Sequence, residues 1–465
     1  MSDLFNIVKK QGSNWIAFWR ARPRTLRRLI YAGAILAASG LIFVVGFQVA
    51  YRQVGPYAFI AKVDNRLTAP FQSAERPALE SGTYPTTLLT LISDVGIVPT
   101  GLGARGRIGL YEQGGGMTSF GDDVLLLVYT GDVFAATSGE DIRKTTIRAP
   151  KNGRDAYLAL ADDPESGYNF HRGYLRYNDL IFVDTTARRG LIAAYSEFHA
   201  ERACTTNTLA FLPIASEVET IAEVTADESD WEILYRTEPC LPLKTKHLAV
   251  EGQMAGGRLA FAPPATLYMT SGDYHLDGMR SEGAPIAQDP EADYGKLLSI
   301  DLETGVVAHV STGHRNMQGI GFGADGALYL AEHGPRGGDE LNRIEPGANY
   351  GWPRVSLGTT YSGAPLPQAE TLGRHDGYEA PIAAWVPSVA VSGMALVSGF
   401  HDAWDGDLLV ATLQDRALHR VRMSGGHVQY IERIGIEQRL RQVHQHTDGR
   451  LVLWTDNQEL VFLSS

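Results

Sequence analysis

What most constrains this chain is a recurring alternation of short apolar runs and turn residues. Val124–Tyr129 precedes Thr130-Gly131-Asp132, and Leu180–Val183 precedes a polar turn. Further runs follow at 258–261, 267–269, 296–300, 327–330, 407–411 and 450–454. Apolar runs this short, closed by Gly and Asp, predict β-strands in an all-β fold. The 50 glycines agree, because Gly takes positive φ in tight turns without strain. Asp-Gly pairs stand just before three of the runs, at 325–326, 405–406 and 448–449. Their spacings of 80 and 43 read as two periods and one of a unit of roughly 40–50 residues, the mark of a propeller blade. Residues 91–465 divide into six or seven such blades; a pair of large β-sandwiches is the other architecture compatible with the strands.

The N-terminal end obeys different physics. Leu29–Ala50 carries no charge, and 22 residues of helix span the roughly 30 Å hydrocarbon core of a bilayer. Seven basic residues and one acid, Asp3, lie in 1–51, and the basic cluster 1–28 directly precedes the apolar run. The positive-inside rule therefore predicts a single-pass inner-membrane anchor at 29–50, with the N-terminus cytoplasmic and the body periplasmic. A cleaved signal peptide is the alternative, but its apolar core is ordinarily shorter. Arg27-Arg28 suits twin-arginine export or a basic flank equally. The small residues Gly33, Ala34, Ala37 and Ala38 share a helix face, which would suit either a membrane-protein partner or lipid. Residues 51–90, with Pro56, Pro70, Pro77 and Pro85, read as a linker and lead-in.

Beyond residue 51 the chain holds 34 basic and 52 acidic groups, so its net charge is −18 against −12 for the whole. Such a body repels phosphate backbones and excludes nucleic acid as a partner. The two cysteines, Cys204 and Cys240, would pair as a disulfide in an oxidising compartment or remain free thiols.

Between 312 and 353 the chain concentrates Gly, Asn, Asp, Glu, Arg and His between short apolar runs, the composition of a site built on loops. The ordered segments Gly256-Gly-Arg-Leu259, Gly295-Lys-Leu-Leu298, Gly313–Gly319, Glu332–Asn342, Asn349-Tyr-Gly-Trp-Pro353, Trp385–Ser388 with Ser392-Gly-Met394, and Arg439-Leu-Arg441 resemble those of the aldose (glucose/sorbosone) dehydrogenases. Members of that family use pyrroloquinoline quinone, PQQ, on a six-bladed propeller.

The resemblance implies a six-bladed β-propeller and a PQQ- and calcium-dependent oxidation of an aldose or similar alcohol. It maps the cofactor contacts onto Arg315, Asn316, Gln318, Gln414, Arg439 and Arg441. Arginine suits the three PQQ carboxylates because its planar fork binds carboxylate bidentately. It maps one Ca2+ site onto the carbonyls of Gly334 and Pro335, and a second onto Glu340 and the Tyr350 carbonyl; calcium prefers oxygen ligands.

Two positions depart from the pattern. Met254 stands where the family has its general-base histidine, and a thioether accepts no proton. Asp273 matches the carboxylate that orients that histidine. Gln414 stands where the family has a cofactor-contacting lysine. His247, His275, His314 and His333 read as structural or rim residues, and His444 and His446 as exposed strand residues. The alternative function is a non-catalytic propeller that binds a carbohydrate or protein, or an accessory subunit of a membrane complex.

Overall fold

The computed structural model describes residues 114–464 apart from 139–140, 164, 167–174, 244–252, 280–282 and 458, together with the strands Gly82–Pro85 and Asp94–Gly101. The apolar segment 29–50 lies outside the described residues. Among the described residues no helix is long and apolar enough to cross a membrane.

Six sheets form the six blades of a propeller, antiparallel throughout except where Thr225–Ala226 pairs in parallel with Arg143–Arg148. Their innermost strands are Gly115–Phe120, Tyr177–Asp184, Gly256–Ala262, Met317–Phe322, Val391–Leu396 and Leu440–Gln445. Each touches the innermost strand of the next blade, and the last touches the first, so the ring closes around an axis. Strand pairing between the two ends of the propeller seals the closure. The sixth blade takes Leu440–Gln445, Leu451–Thr455 and Glu459–Ser464 from the C-terminal end of the chain. It then pairs Glu459–Ser464 with Asp94–Gly101 and Asp94–Gly101 with Gly82–Pro85. The segment 51–90, expected as linker and lead-in, thus contributes a strand to the last blade.

The apolar runs read from sequence all fall on strands, because each is a local pattern of burial. The Asp-Gly pairs fall at equivalent places in three successive blades, between the innermost strand and its neighbour. Gly326, Gly406 and Gly449 have φ of +75°, +81° and +90°, a region that only glycine enters freely. Because the blades are consecutive, the spacing of 80 is a single period and not two. The long excursion between Arg343 and Ala383, with its short paired strands Val355–Ser356 and Thr371–Leu372, accounts for the excess.

The hydrophobic core is divided as the blades are: six principal apolar clusters each lie between two neighbouring blades. The seam between first and last blades unites Met117, Val124 and Leu126 with Val452, Trp454 and Phe462. Polar ties reinforce it. Ser119 Oγ lies 2.8 Å from both His444 Nε2 and His446 Nδ1, and Arg450 donates to the Thr137 carbonyl at 2.7 Å. The two histidines, expected as exposed, are therefore interior: His446 is 3% exposed and His444 half-buried. Period-2 alternation puts both on one face of their strand, and that face is the blade seam.

Cys204 and Cys240 form a disulfide with Cα atoms 5.6 Å apart. It ties the third strand of the second blade, Cys204–Pro213, to Leu241–Pro242, which pairs beside it. With 36 residues of separation, loop closure alone predicts about 3–4 kcal/mol of stabilisation. Replacing both cysteines by alanine should lower the unfolding free energy by that order in a denaturant titration; an unchanged midpoint would contradict a structural role.

Candidate functional site

The first residues of the inner strands converge on a cavity of about 210 Å³ at one end of the axis. The strand Leu440–Gln445 and the residue before it bring Arg441 and Arg439. The turn into Met317–Phe322 brings Asn316 and Gln318, and the loop before Gly256–Ala262 brings Gln253 and Met254. Arg176, Asn178, Arg258, His333 and Leu413 complete its functional lining. Four arginines and no carboxylate face this space.

Arg439 and Arg441 share one carboxylate. Asp456 accepts from Arg439 Nε at 2.7 Å and from Arg441 Nε and Nη2 at 2.9 and 2.7 Å. Two guanidiniums against one carboxylate leave a surplus positive charge beside the cavity. Asn316 spends its side-chain oxygen on protein partners, accepting from Gln318 Nε2 at 2.9 Å and from the Gly256 amide at 3.3 Å. Its amide nitrogen is what remains to donate. Arg258 is 4% exposed and anchors its blade across two seams, donating to the carbonyls of Gly115 and Asn178 at 3.0 and 2.9 Å.

Met254 lines the cavity in a left-handed conformation, φ +57°. Its carbonyl presses on Gly272, where an added Cβ would stand 1.8 Å from it, so glycine there is obligatory. The facing residues Tyr274 and His275 are also left-handed, with φ of +50° and +61°. Non-glycine residues in this region mark a backbone over-determined by its surroundings, as occurs at ligand sites.

Asp273, the carboxylate matched to the orienting residue of a base, is fully buried and has other partners. It accepts from the Trp352 indole at 2.7 Å and from the His275 amide at 2.9 Å. Burial pushes its carboxyl up to about 7, although Arg315 opposes the shift.

The imidazoles expected as structural largely are so. His314 is buried between Ser311 and Glu332 at 2.8 and 2.9 Å and stacks on Tyr350. His275 holds Gln253 at 2.9 Å. His247 lies outside the described residues. His333 is the one imidazole in the cavity lining among the described residues.

Arg315 and Gln414 do not reach this cavity. Arg315 lies behind it, 4% exposed, with its guanidinium 5.3 Å from the Trp352 ring centre. Its Nη1 donates to the carbonyls of His333 and Gly334 at 3.1 and 2.9 Å. Gln414 is exposed, and its neighbour Leu413 takes the lining position.

Gly334, Glu340 and Tyr350 do gather, around a space of only about 10 Å³ that Arg315 and Glu332 also line. The donors there already serve one another. Gly334 O receives Arg315, and Glu332 receives His314, Asn342 and the Arg315 amide. Glu340 is contacted by Asn342 at 3.3 Å and by His375 at 3.4 Å. Among the described residues no three His, Cys, Asp or Glu side chains surround a common point where a metal could sit. Of the oxygens expected for calcium, Gly334 O is thus turned to a guanidinium and Glu340 to imidazole and amide groups, while Pro335 is not among the residues lining this space. The large cavity does fit a compact polyanion, since its lining is rich in donors and cations and holds one unpartnered buried donor, Asn178 Nδ2.

Known proteins agree with the architecture. Residues 194–463 match the family model described as Glucose / Sorbosone dehydrogenase. The chain belongs to that family. It is 35% identical over 224 residues to the aldose sugar dehydrogenase YliI of Escherichia coli K12; the alignment covers 44% of this chain and 58% of that protein, less than two thirds of its length. The apo crystal structure of the soluble aldose sugar dehydrogenase from Escherichia coli superposes with a TM-score of 0.61 at 24% identity, covering 79% of this chain and 99% of that one. The PQQ-bound aldose sugar dehydrogenase from Streptomyces coelicolor gives 0.52 at 20%, covering 79% and 97%. At these identities the two structures establish the fold. The family match includes Met254, Asp273, Arg439 and Arg441, but leaves out Arg176 and Asn178.

Arg176, Asn178 and Arg258 were not singled out as site residues from sequence. Arg258 had a signal, a lone cation inside an apolar strand, which burial makes costly unless it is put to use. Arg176 and Asn178 reach the cavity only through the closure of the ring.

Because Asp273 holds its proton up to about pH 7 when folded and to about 4 when unfolded, it costs stability progressively as pH rises from about 4 to 7 and by a constant amount above. Asp273→Asn should therefore gain on the wild type across that interval and plateau beyond it. Melting curves in which the difference is flat or reversed would contradict the buried-acid assignment.

Proposed function

We propose that this protein binds PQQ in the arginine-lined cavity and works as a sugar-oxidising quinoprotein whose proton-abstracting step is weakened. The observation that carries this reading is the lining itself: four arginines, no carboxylate, and amide donors from Asn316, Gln318 and Asn178. A tricarboxylate is the kind of ligand such a lining holds. When bound, PQQ supplies an ortho-quinone able to accept a hydride from a substrate carbinol.

The chain's own residues bind and orient. Arg439 and Arg441, stiffened by Asp456, hold anionic edges in fixed geometry. Asn316, locked by Gln318 and the Gly256 amide, directs its remaining donor inward. Met254 occupies the place where a proton acceptor is needed and supplies only packing. No step depends on calcium. The substrate class that suits the family is an aldose or similar alcohol, with electrons passed on to a membrane quinone or periplasmic carrier. Residues 29–50 would tether the propeller to the inner membrane on its periplasmic side, where the Cys204–Cys240 disulfide is stable.

A second reading is a non-catalytic propeller that binds a carbohydrate or a protein partner. Met254 favours it, together with Asp273, whose carboxylate is committed to Trp352 and the His275 amide.

Two experiments separate the readings. Titration of purified protein with PQQ should give saturable binding, weakened at least tenfold by Arg439→Ala combined with Arg441→Ala; no binding would remove both the cofactor and the enzyme. With PQQ bound, sugar-dependent dye reduction should be slow and should rise by at least tenfold in Met254→His, since general-base catalysis is typically worth about 10²–10⁴-fold. Unchanged turnover in a variant that still binds PQQ would favour the non-catalytic reading.

A further inference from the structure

Further along the same inner strands lies a second chamber, of about 290 Å³, to which nothing above gives a role. Arg258 and Gln318 face both spaces and form the septum between them. The second chamber takes residues that come later in each strand: Met117 after Gly115, Asp179 and Ile181 after Asn178, Ile320 after Gln318, and Gln442 and His444 after Arg441.

Its chemistry differs from that of the cofactor cavity. Arg258 lies 3.7 Å from Asp179, so opposite charges offset each other and nothing recruits an ion. Met117, Ile181, Ile320, Met394 and Leu396 give it apolar walls from four blades. Two polar atoms of its lining have no protein partner. Arg258 Nε is an unanswered donor, and Gln442 Oε1 an unanswered acceptor, on side chains 4% and 9% exposed. Buried polar atoms are almost always paired, so this donor and this acceptor call for an occupant.

A hydroxyl both donates and accepts, so a single such group type answers both atoms. A quinone or other carbonyl compound would leave Gln442 Oε1 unanswered. The apolar walls suit the C–H faces of a small ring, and the volume lies near the lower end of small-molecule sites. On one side His444, held by Ser119, faces the chamber. Burial and the neighbouring His446 push it down to about 4, so near neutral pH it too is an uncharged hydrogen-bonding group.

We propose that this lower chamber is a binding site for a neutral, polyhydroxylated small molecule of monosaccharide size, separate from the cofactor cavity and divided from it by Arg258 and Gln318. The site does not depend on PQQ or on turnover.

Calorimetric titration of the cofactor-free protein with D-glucose tests it. Saturable binding in the millimolar range is expected, retained in Met254→Trp, which fills the upper cavity, and weakened at least tenfold in Gln442→Leu. Ile320→Trp, which fills the lower chamber without touching the polar septum, should abolish it and serves if Gln442→Leu fails to fold. No saturable binding by the wild type would show that the chamber holds water only and would overturn the proposal. Binding lost in Met254→Trp but kept in Gln442→Leu or Ile320→Trp would place the sugar in the upper cavity and overturn it equally.

Discussion

Closure of the ring is the constraint on which everything else rests. The last blade is assembled from both ends of the propeller, with Asp94–Gly101 an outer strand of a sheet whose three inner strands lie more than 300 residues later. Strand pairing supplies the main-chain bonds. The seam cluster around Trp454 and Phe462 supplies apolar burial, and Ser119 joins His444 and His446 across the same seam. Only in a closed ring do the starts of five inner strands and Leu413 of the remaining blade meet on one axis, and that meeting is the site. Arg439 from the last blade and Asn178 from the second face one cavity because no edge is left open between the blades.

That geometry explains what could and could not be read beforehand. The strands and their Asp-Gly turns were legible because burial alternation and positive φ are local demands on local residues. Met254, Asn316, Gln318, Arg439 and Arg441 were found through ordered motifs and do meet. Arg315 lies in the Gly313–Gly319 motif and Gln414 was placed by the family pattern, yet one turns back to hold the His333 and Gly334 carbonyls and the other points to solvent. A motif fixes where a residue lies along a strand, but not which neighbour claims its side chain. Arg176 and Asn178 were passed over, and the seam histidines were read as exposed, because their roles come from contacts between blades far apart in sequence.

The cavity is lined by cations, with Met254 and the His333 imidazole facing the same space. Asp456 fixes Arg439 and Arg441, and Gln318 with the Gly256 amide fixes Asn316, so the lining is held by the fold itself. Behind it, the Asp273 carboxylate closes a buried network with Trp352 and the His275 amide.

The most direct measurement is a crystal structure from crystals soaked with PQQ. Density for the tricyclic cofactor in the upper cavity, with carboxylates against Arg439 and Arg441 and one edge beside Met254, is the expected result. An empty upper cavity at saturating PQQ, or cofactor bound only elsewhere on the propeller, would contradict the account.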